Sequence, residues 1–284
     1  MLIRLIAALF LTAALAAEEA VTLRLVAANL SSVSTQAWSA DNGNHSNPEG
    51  AGARILMALK PDVVMIQEFN TTMPTRQWVN RTFGKEFAFY QEPGKQIPNG
   101  IISRFPIIES GSWDDPQLDN REFAWARLRL PEERELWVVS VHFHSKGASS
   151  RTLQAAALAR FVRAKVPADA LLAIGGDFNT RHIDEACFAE LKEVVLRPEK
   201  PPADEHGDIT TNVPRNRPYD WVLANAALDQ LATPVLLAGK SFPHGLVFDT
   251  RVFSALEKCP PAQIGDSEVK HMQHMAVVRD FRIP

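Results

Sequence analysis

The segment Ile174-Gly175-Gly176-Asp177-Phe178-Asn179-Thr180 carries a carboxylate and an amide two positions apart. On extended chain such a pair points to one side, and the glycines ahead of it let a ligand or neighbouring backbone come close. An aspartate so placed can take a proton from water while the amide orients the nucleophile or a phosphate. The plain alternative is an Asx-type turn closing a strand. Pro61-Asp62-Val63-Val64-Met65-Ile66-Gln67-Glu68 ends an apolar run on a glutamate. That is a hard oxygen donor on rigid scaffold, of the kind Mg²⁺ uses singly or in pairs beside water and phosphate oxygens. Asn29, at the end of the run that begins at Val21, can add an amide oxygen from a neighbouring strand. For Asn29 and Glu68 alike, a surface capping role is the bland reading.

Two histidine segments extend the set. His142 and His144 in Val138-Val139-Ser140-Val141-His142-Phe143-His144 fall on one face by the strand period of two. Zinc would need a third protein ligand in a partner motif, and the sequence has neither HExxH nor further paired histidines of the metallo-β-lactamase type. His142 therefore reads as a phosphate-binding or proton-donating imidazole, and His144 as a rim residue. Tyr219-Asp220-Trp221 and Met272-Gln273-His274-Met275 complete the groupings. An aspartate bonded to an imidazole fixes its tautomer and favours its charged form, so Asp220 is a candidate orienter of His274. A structural core histidine is the alternative.

Short buried strands must position these groups. Apolar, β-branched runs occupy residues 21–27, 62–66, 101–103, 136–141, 171–174, 219–223 and 275–278. Between them, Asn47-Pro48-Glu49 predicts a helix start, with Ile55, Leu56 and Leu59 as its apolar stripe before Pro61. A second helix is expected after Ser149 or Ser150, burying Leu153, Leu158, Phe161 and Val162, and a third over 184–195. Residues 121–130 and 136–142 read as a hairpin around Pro131-Glu132-Glu133-Arg134. Several strands lie too close together for parallel crossovers, so the sheets are mixed and an α/β sandwich fits best.

A hydrophobic share of 46% with 22% charged residues excludes a disordered, collagen-like or coiled-coil chain. The net charge of -3 gives no strong field for nucleic acid or acidic membrane, although a local basic groove stays compatible with it. Residues 1–17 read as a secretion signal: Arg4, an apolar run over 5–15, and Ala14-Leu15-Ala16 before the cut. A buried N-terminal helix is the alternative. The run is too short for a stable membrane span, so a secreted or periplasmic monomer is expected, with 18–284 as one domain free of repeats and linkers. Export permits a Cys187–Cys259 disulfide, which spacing alone does not decide.

Ala28-Asn29, Gln67-Glu68, Ser103-Arg104-Phe105-Pro106-Ile107, His142, Gly176-Asp177-Phe178-Asn179 and Asp220 follow one another in an order that resembles the endonuclease/exonuclease/phosphatase superfamily. That superfamily includes DNase I-like nucleases, sphingomyelinases and inositol-phosphate phosphatases. The resemblance runs from Val21 to the C-terminus; each motif is short, but six in order are far more specific than one. It implies an α/β fold, a four-layer sandwich of two mixed, mainly antiparallel sheets packed face to face with helices outside. It implies a phosphoric ester hydrolase dependent on Mg²⁺, with Mn²⁺ as a substitute, cleaving phosphodiesters by in-line attack of water. By the same likeness Asn29 and Glu68 hold the metal, His142 contacts the scissile phosphate, and Asp177 with Asn179 positions and activates water. His274 stabilises or protonates, supported by Asp220.

Asn120-Arg121-Glu122-Phe123 also resembles a stretch of the DNase I-like nucleases whose arginine touches phosphate; salt bridging is the bland reading of Arg121. One departure stands out. The family usually has Ser-Asp-His where this chain has Met272-Gln273-His274, which removes a negative charge and with it support for a second metal position or for the histidine. Asp266 lies close in sequence, with no physical argument that it compensates. DNA or RNA is the first expected substrate. A phospholipid or sugar-phosphate esterase, or a degenerate protein that only binds a phosphorylated ligand, are the alternatives. Trp38 and the loop 31–46 are a candidate recognition rim, and the sequence leaves open whether 241–270 is a lid or a passive loop.

Overall fold

The computed structural model describes residues 21–29, 50–71, 73–268 and 273–284. The leader at 1–17, the helix start at Asn47-Pro48-Glu49 and the loop 31–46 with Trp38 lie outside those residues. In chain order the strands begin with β1 (Val21–Asn29), β2 (Val63–Gln67), β3 (Ala88–Gln91) and β4 (Gly100–Ser103). There follow β5 (Ile107–Trp113), β6 (Phe123–Arg129), β7 (Glu135–His142), β8 (Leu171–Asp177) and β9 (Asp220–Ala224). The chain ends with β10 (Ala232–Thr233), β11 (Val235–Leu237), β12 (Lys240–Phe242), β13 (Leu246–Phe248) and β14 (Ala276–Ile283). One sheet has the order β10-β14-β1-β2-β4-β3 with β13 also on β14; the other runs β5-β6-β7-β8-β9, and β11 pairs β12 alone.

Two strand pairs are parallel, β1 with β2 and β7 with β8. A parallel pair needs a crossover, usually a helix, and each has one: α1 (Ala51–Leu59) after β1 and α3 (Ala148–Lys165) after β7. Their carboxyl ends carry the chemistry-bearing residues. Asn29 lies opposite Gln67, one residue before Glu68, and His142 lies opposite Asp177. The antiparallel β8–β9 ladder then sets Asp220 opposite Asp177.

Alternation along each strand separates three cores. Leu23, Leu25 and Ala27 of β1, Val63 and Met65 of β2, and Leu171 and Ala173 of β8 meet between the sheets. Val26, Ala28, Val64 and Ile66 face outward onto α1 and α2 (Thr75–Thr82). Leu172 and Ile174 face outward onto α3 and α4 (Ala186–Leu191). The result is helix, sheet, sheet, helix, the four-layer sandwich expected. Where the site approaches, the inter-sheet layer turns polar: buried Gln67 donates through Nε2 to Ser140 Oγ, which itself donates to Ile66 O, both at 2.8 Å.

Several local expectations need correction. Leu153 is 55% exposed, because the buried stripe of α3 runs Arg151, Gln154, Ala155, Leu158 and Val162, the i, i+3, i+4 pattern that Leu153 does not share. Phe161 is partly buried and stacks on Trp113. The third helix is α4 alone, shorter than 184–195. Strands β3 and β5 and helix α2 are additions, short and with weak apolar periodicity. Residues 242–256 form a packed wall rather than a loose loop, with Phe242, Leu246, Phe248, Phe253 and Leu256 buried against the α1 side. Cys187 and Cys259 are both free thiols, buried in the cores outside opposite sheets, so no disulfide joins them. Among the described residues no helix is long and apolar enough to cross a membrane.

Gly176 has φ +138, and a Cβ there would stand 2.1 Å from Val141 O and 2.6 Å from Gln67 Nε2. Gly176→Ala should lower stability by at least about 2 kcal/mol, seen as a fall in Tm of roughly 4–8 °C for a domain of this size. An unchanged melting curve would show that the close approach is not needed.

Candidate active site

The groups that end β1, β7 and β8, open β9 and precede β14 converge on one edge of the sandwich, around the carboxylate of Asp177. Asn29 Nδ2 donates to Asp177 Oδ2 at 3.0 Å and Asn179 Nδ2 to the same oxygen at 3.1 Å, while the Asn179 backbone N–H donates to Oδ1 at 2.8 Å. His142 Nε2 stands 3.3 Å and His274 Nε2 3.8 Å from Oδ2. On the far side of its ring, His274 Nδ1 is 2.9 Å from Asp220 Oδ2. Asp220 Oδ2 also accepts from Thr211 Oγ1 at 2.7 Å, and Thr211 Oγ1 accepts from the Asp220 N–H. The alternative of an isolated Asx turn at Asp177 is thus only part of what is seen: the turn exists, and three other chain segments meet it. Asn179 itself has φ +51, a left-handed conformation that asparagine tolerates, and its amide also holds Phe143 O at 3.0 Å.

Burial decides the charges. Asp177 is 1% exposed. Desolvation raises its pKa, His274 opposes that, Asp220 adds to it, and the Asn29 and Asn179 hydrogen bonds oppose it, for a balance pushed up to about 7. Burial works against the His274 cation, but Asp220, Asp177 and, farther off, Glu68 outweigh it and lift the imidazole to about 9. His142 goes the other way: burial, then Arg121 and His274, hold it well below the ordinary histidine range. At neutral pH the site therefore holds a neutral imidazole at His142, an imidazolium at His274, and an aspartate poised near its midpoint. The His142 contact with Asp177 is then not an ion pair, and His142 Nδ1 is buried without a hydrogen-bond partner among the described residues.

Glu68 follows β2 with φ +52, a left-handed residue at a strand end. The turn is fixed by Phe69 N–H to Pro98 O at 2.8 Å and Asn70 N–H to Glu68 O at 2.7 Å. Glu68 is half-buried and acts electrostatically on both His274 and Arg121, so it lies on the same edge as Asp177. Arg121 is 5% exposed, and its guanidinium donates to His142 O at 2.6 Å, Phe143 O at 3.2 Å and Asn120 Oδ1 at 3.1 Å. It braces the end of β7 from beneath. His144 lies past the end of β7, where its Nδ1 accepts from the Lys146 N–H at 3.0 Å. Gln273 is half-buried with its carbonyl accepting from the Val213 N–H. Asp266 pairs with Arg54 at 2.6 Å on the α1 side, so it does not replace the missing aspartate beside His274.

Asp177, Asp220 and His274 offer three ligand atoms within 4.8 Å of one another. With His274 Nδ1 on Asp220 and Nε2 turned toward Asp177, the same trio forms a carboxylate–imidazole relay. The hard oxygen donors Glu68 and Asn29, at the ends of neighbouring parallel strands, suit a divalent cation. Thr211 is the part of the relay that the sequence did not reveal; a threonine nine residues ahead of Asp220 carries no pattern. Tyr219, its ring 5.6 Å from that of His274, carries no pattern of its own either.

An α/β sandwich with acid, amide and imidazole gathered at the carboxyl ends of its parallel strands defines a class of phosphoester hydrolases. The chain belongs to the Endonuclease/Exonuclease/phosphatase family, whose profile matches residues 42–218. Members of that family are hydrolases acting on phosphoesters and use divalent metals. No curated protein sequence matches the chain. Among solved structures it is similar to an endonuclease/exonuclease/phosphatase from Beutenbergia cavernae DSM 12333 (TM-score 0.62, 14% identity, covering 92% of this chain and 72% of that one). It is also similar to D. rerio TDP2 complexed with single strand DNA product (0.58, 17%, 92% and 99%). A third is beta toxin from Staphylococcus aureus (0.53, 16%, 90% and 99%). At these identities the likeness establishes the fold.

The relay carries a sign. The folded His274 pKa of about 9 lies above the ordinary value near 6.5, so the pair's contribution to stability is complete below ~6.5 and lost as pH rises through about 9. In Asp220→Asn the His274 titration followed by NMR should move from about 9 down toward ~6.5. A midpoint that stays put would remove Asp220 from that role.

Proposed function

We propose that this protein is a secreted, divalent-metal-dependent phosphodiesterase that cleaves nucleic acid by in-line attack of water. The observation that carries the reading is the buried Asp177 carboxylate, met by Asn29, Asn179, His142 and His274 from separate parts of the chain. Asp177, with its pKa near 7, takes the proton of the attacking water, since a base works best with a pKa close to working pH. Asn179, its amide fixed on Phe143 O, orients that water. The neutral His142 and the cationic His274 hold the non-bridging oxygens, and Asp220 keeps His274 charged as negative charge develops on phosphorus. Arg121 adds positive charge from below while holding the carbonyl of His142. Glu68 and Asn29 would hold the divalent cation, Mg²⁺ by the hardness of their oxygens, which neutralises phosphate charge and stabilises the leaving oxygen.

Nucleic acid is favoured as substrate by the similarity in fold to a TDP2 whose structure contains a single strand DNA product. Export is favoured by the leader-like residues 1–17. In place of the usual aspartate, Gln273 leaves one carboxylate fewer beside His274, which favours a single metal position at Glu68 and Asn29.

The deciding experiment compares bis(p-nitrophenyl) phosphate, p-nitrophenyl phosphate and a labelled oligonucleotide, each with Mg²⁺ and with chelator. Diester and oligonucleotide should be cleaved and chelator should abolish both; turnover of the monoester alone, or turnover that survives chelation, would overturn the reading. Glu68→Ala should cost at least roughly 10²-fold in turnover. The pH profile should rise through about 7 as Asp177 loses its proton and fall through about 9 as His274 loses its own; a profile flat over that interval would exclude these two groups as base and cation.

A further inference from the structure

Beyond the catalytic cluster lies a groove of about 460 Å³ lined by Arg181, His182, Ile183, Asp184, Arg197, Ile209 and Pro218, a size within the ~300–1,000 Å³ of small-molecule sites. Its walls are continuations of the site. Arg181 comes two residues after Asn179, and Pro218 two residues before Asp220. Thr180 Oγ1 donates to Pro218 O, and the Phe178 N–H donates to Tyr219 O at 2.7 Å, so the two walls are bonded to each other just behind the catalytic residues.

The groove is cationic and partly apolar. Arg181 and Arg197 are exposed, and neither guanidinium has a carboxylate partner among the described residues. Asp184 is the one acid of the lining, and the Ile183 side chain is 39% exposed. Between the groove and His274 stands a further cation. Arg217 Nη1 donates to Tyr219 Oη at 3.1 Å, the Tyr219 ring lies against His274, and no carboxylate pairs with Arg217 among the described residues. Arg217 is held in place by its backbone, with its N–H on Asn212 Oδ1 and its carbonyl accepting from the Thr211 N–H. Three cations without a carboxylate partner among the described residues, Arg217, Arg181 and Arg197, thus lie on the side of the catalytic histidine toward the groove, on a protein whose net charge is -3.

We infer that this groove binds the nucleotide next to the scissile phosphate, its phosphate against Arg181 and Arg197 and its base or sugar against Ile183 and Ile209, with Arg217 and Tyr219 spanning the step to His274. The inference rests on the phosphodiesterase reading above and narrows its substrate class to a phosphodiester strand of at least two phosphates. Small diesters and headgroups with a single phosphate leave the groove empty.

The test uses the full chain, a fluorescent five-nucleotide single-stranded DNA, and the Arg181→Gln/Arg197→Gln double variant. Binding is read by anisotropy in chelator, so it does not depend on turnover. The variant should bind about tenfold or more weakly, and its plot of log K against log salt should be shallower by about 0.7, the share of the one phosphate that the two arginines hold. Arg197→Glu should weaken binding as well, with an unchanged melting curve confirming the fold. With Mg²⁺, the loss of kcat/KM on the oligonucleotide should exceed the loss on bis(p-nitrophenyl) phosphate by about tenfold. Equal affinity and slope in wild type and variant would overturn the inference, as would equal losses on both substrates, or wild-type binding to phosphatidylglycerol vesicles in preference to the oligonucleotide. The two readings fail separately. A chain that binds the oligonucleotide through these arginines but hydrolyses nothing keeps the groove and loses the phosphodiesterase. A chain that hydrolyses the small diester, with oligonucleotide binding indifferent to Arg181 and Arg197, does the reverse.

Discussion

A carboxylate taken out of water must either be neutralised or be surrounded by groups that hold its charge, and the active edge of this protein is arranged around that requirement at Asp177. The carboxylate is almost wholly buried, yet it receives three hydrogen bonds from Asn29 and Asn179 and faces the cation of His274. These offset the desolvation only in part, leaving the group close to its midpoint at neutral pH. Full neutralisation would leave no base, and full ion pairing would leave one too weak to accept a proton. The second carboxylate, Asp220, works on the opposite side of the imidazole and fixes the charge that Asp177 feels.

Strand register makes this possible without long or flexible connections. Because β7 is parallel to β8 and β9 antiparallel to it, His142, Asp177 and Asp220 fall into one row across the sheet. The other sheet ends its own parallel pair at Asn29 and Gln67 in the same region, and the Gln67–Ser140 hydrogen bond ties the two sheets together beneath. Gly176 lets β7, β8 and the Gln67 side chain approach where any Cβ would collide. A one-residue slip in either ladder would send the catalytic side chains to the opposite face, so the apolar alternation that builds the inter-sheet core also aims the chemistry.

The parts legible in sequence were those written as local pattern. Buried runs gave seven of the strands, the Pro131 to Arg134 turn gave the β6–β7 hairpin, and order-preserved short motifs marked Asn29, Glu68, His142, Asp177, Asn179 and Asp220, with His274 marked by a segment that departs from the family pattern. Short, half-exposed strands such as β3 lacked the apolar signal. Leu153 misled because an apolar residue in a helix is buried only on the face that packing selects. Asp266 lies near His274 in sequence, but its carboxylate is bonded to Arg54. Thr211, Arg217 and Tyr219 matter through loop geometry held by Asn212, which has no periodic signature. The motif Ser103-Arg104-Phe105-Pro106 turns out to serve architecture: Ser103 Oγ closes the turn onto Phe105 N–H at 2.9 Å and Arg104 pairs with Asp62 at 2.7 Å.

The most direct test of this picture is the side-chain carboxyl ¹³C resonance of Asp177, followed against pH in the chelated protein. A midpoint near 7 is the result expected of a carboxylate buried beside an imidazolium and another aspartate. A midpoint at or below the ordinary aspartate value of ~3.9 would describe a solvated or fully paired group and contradict the account.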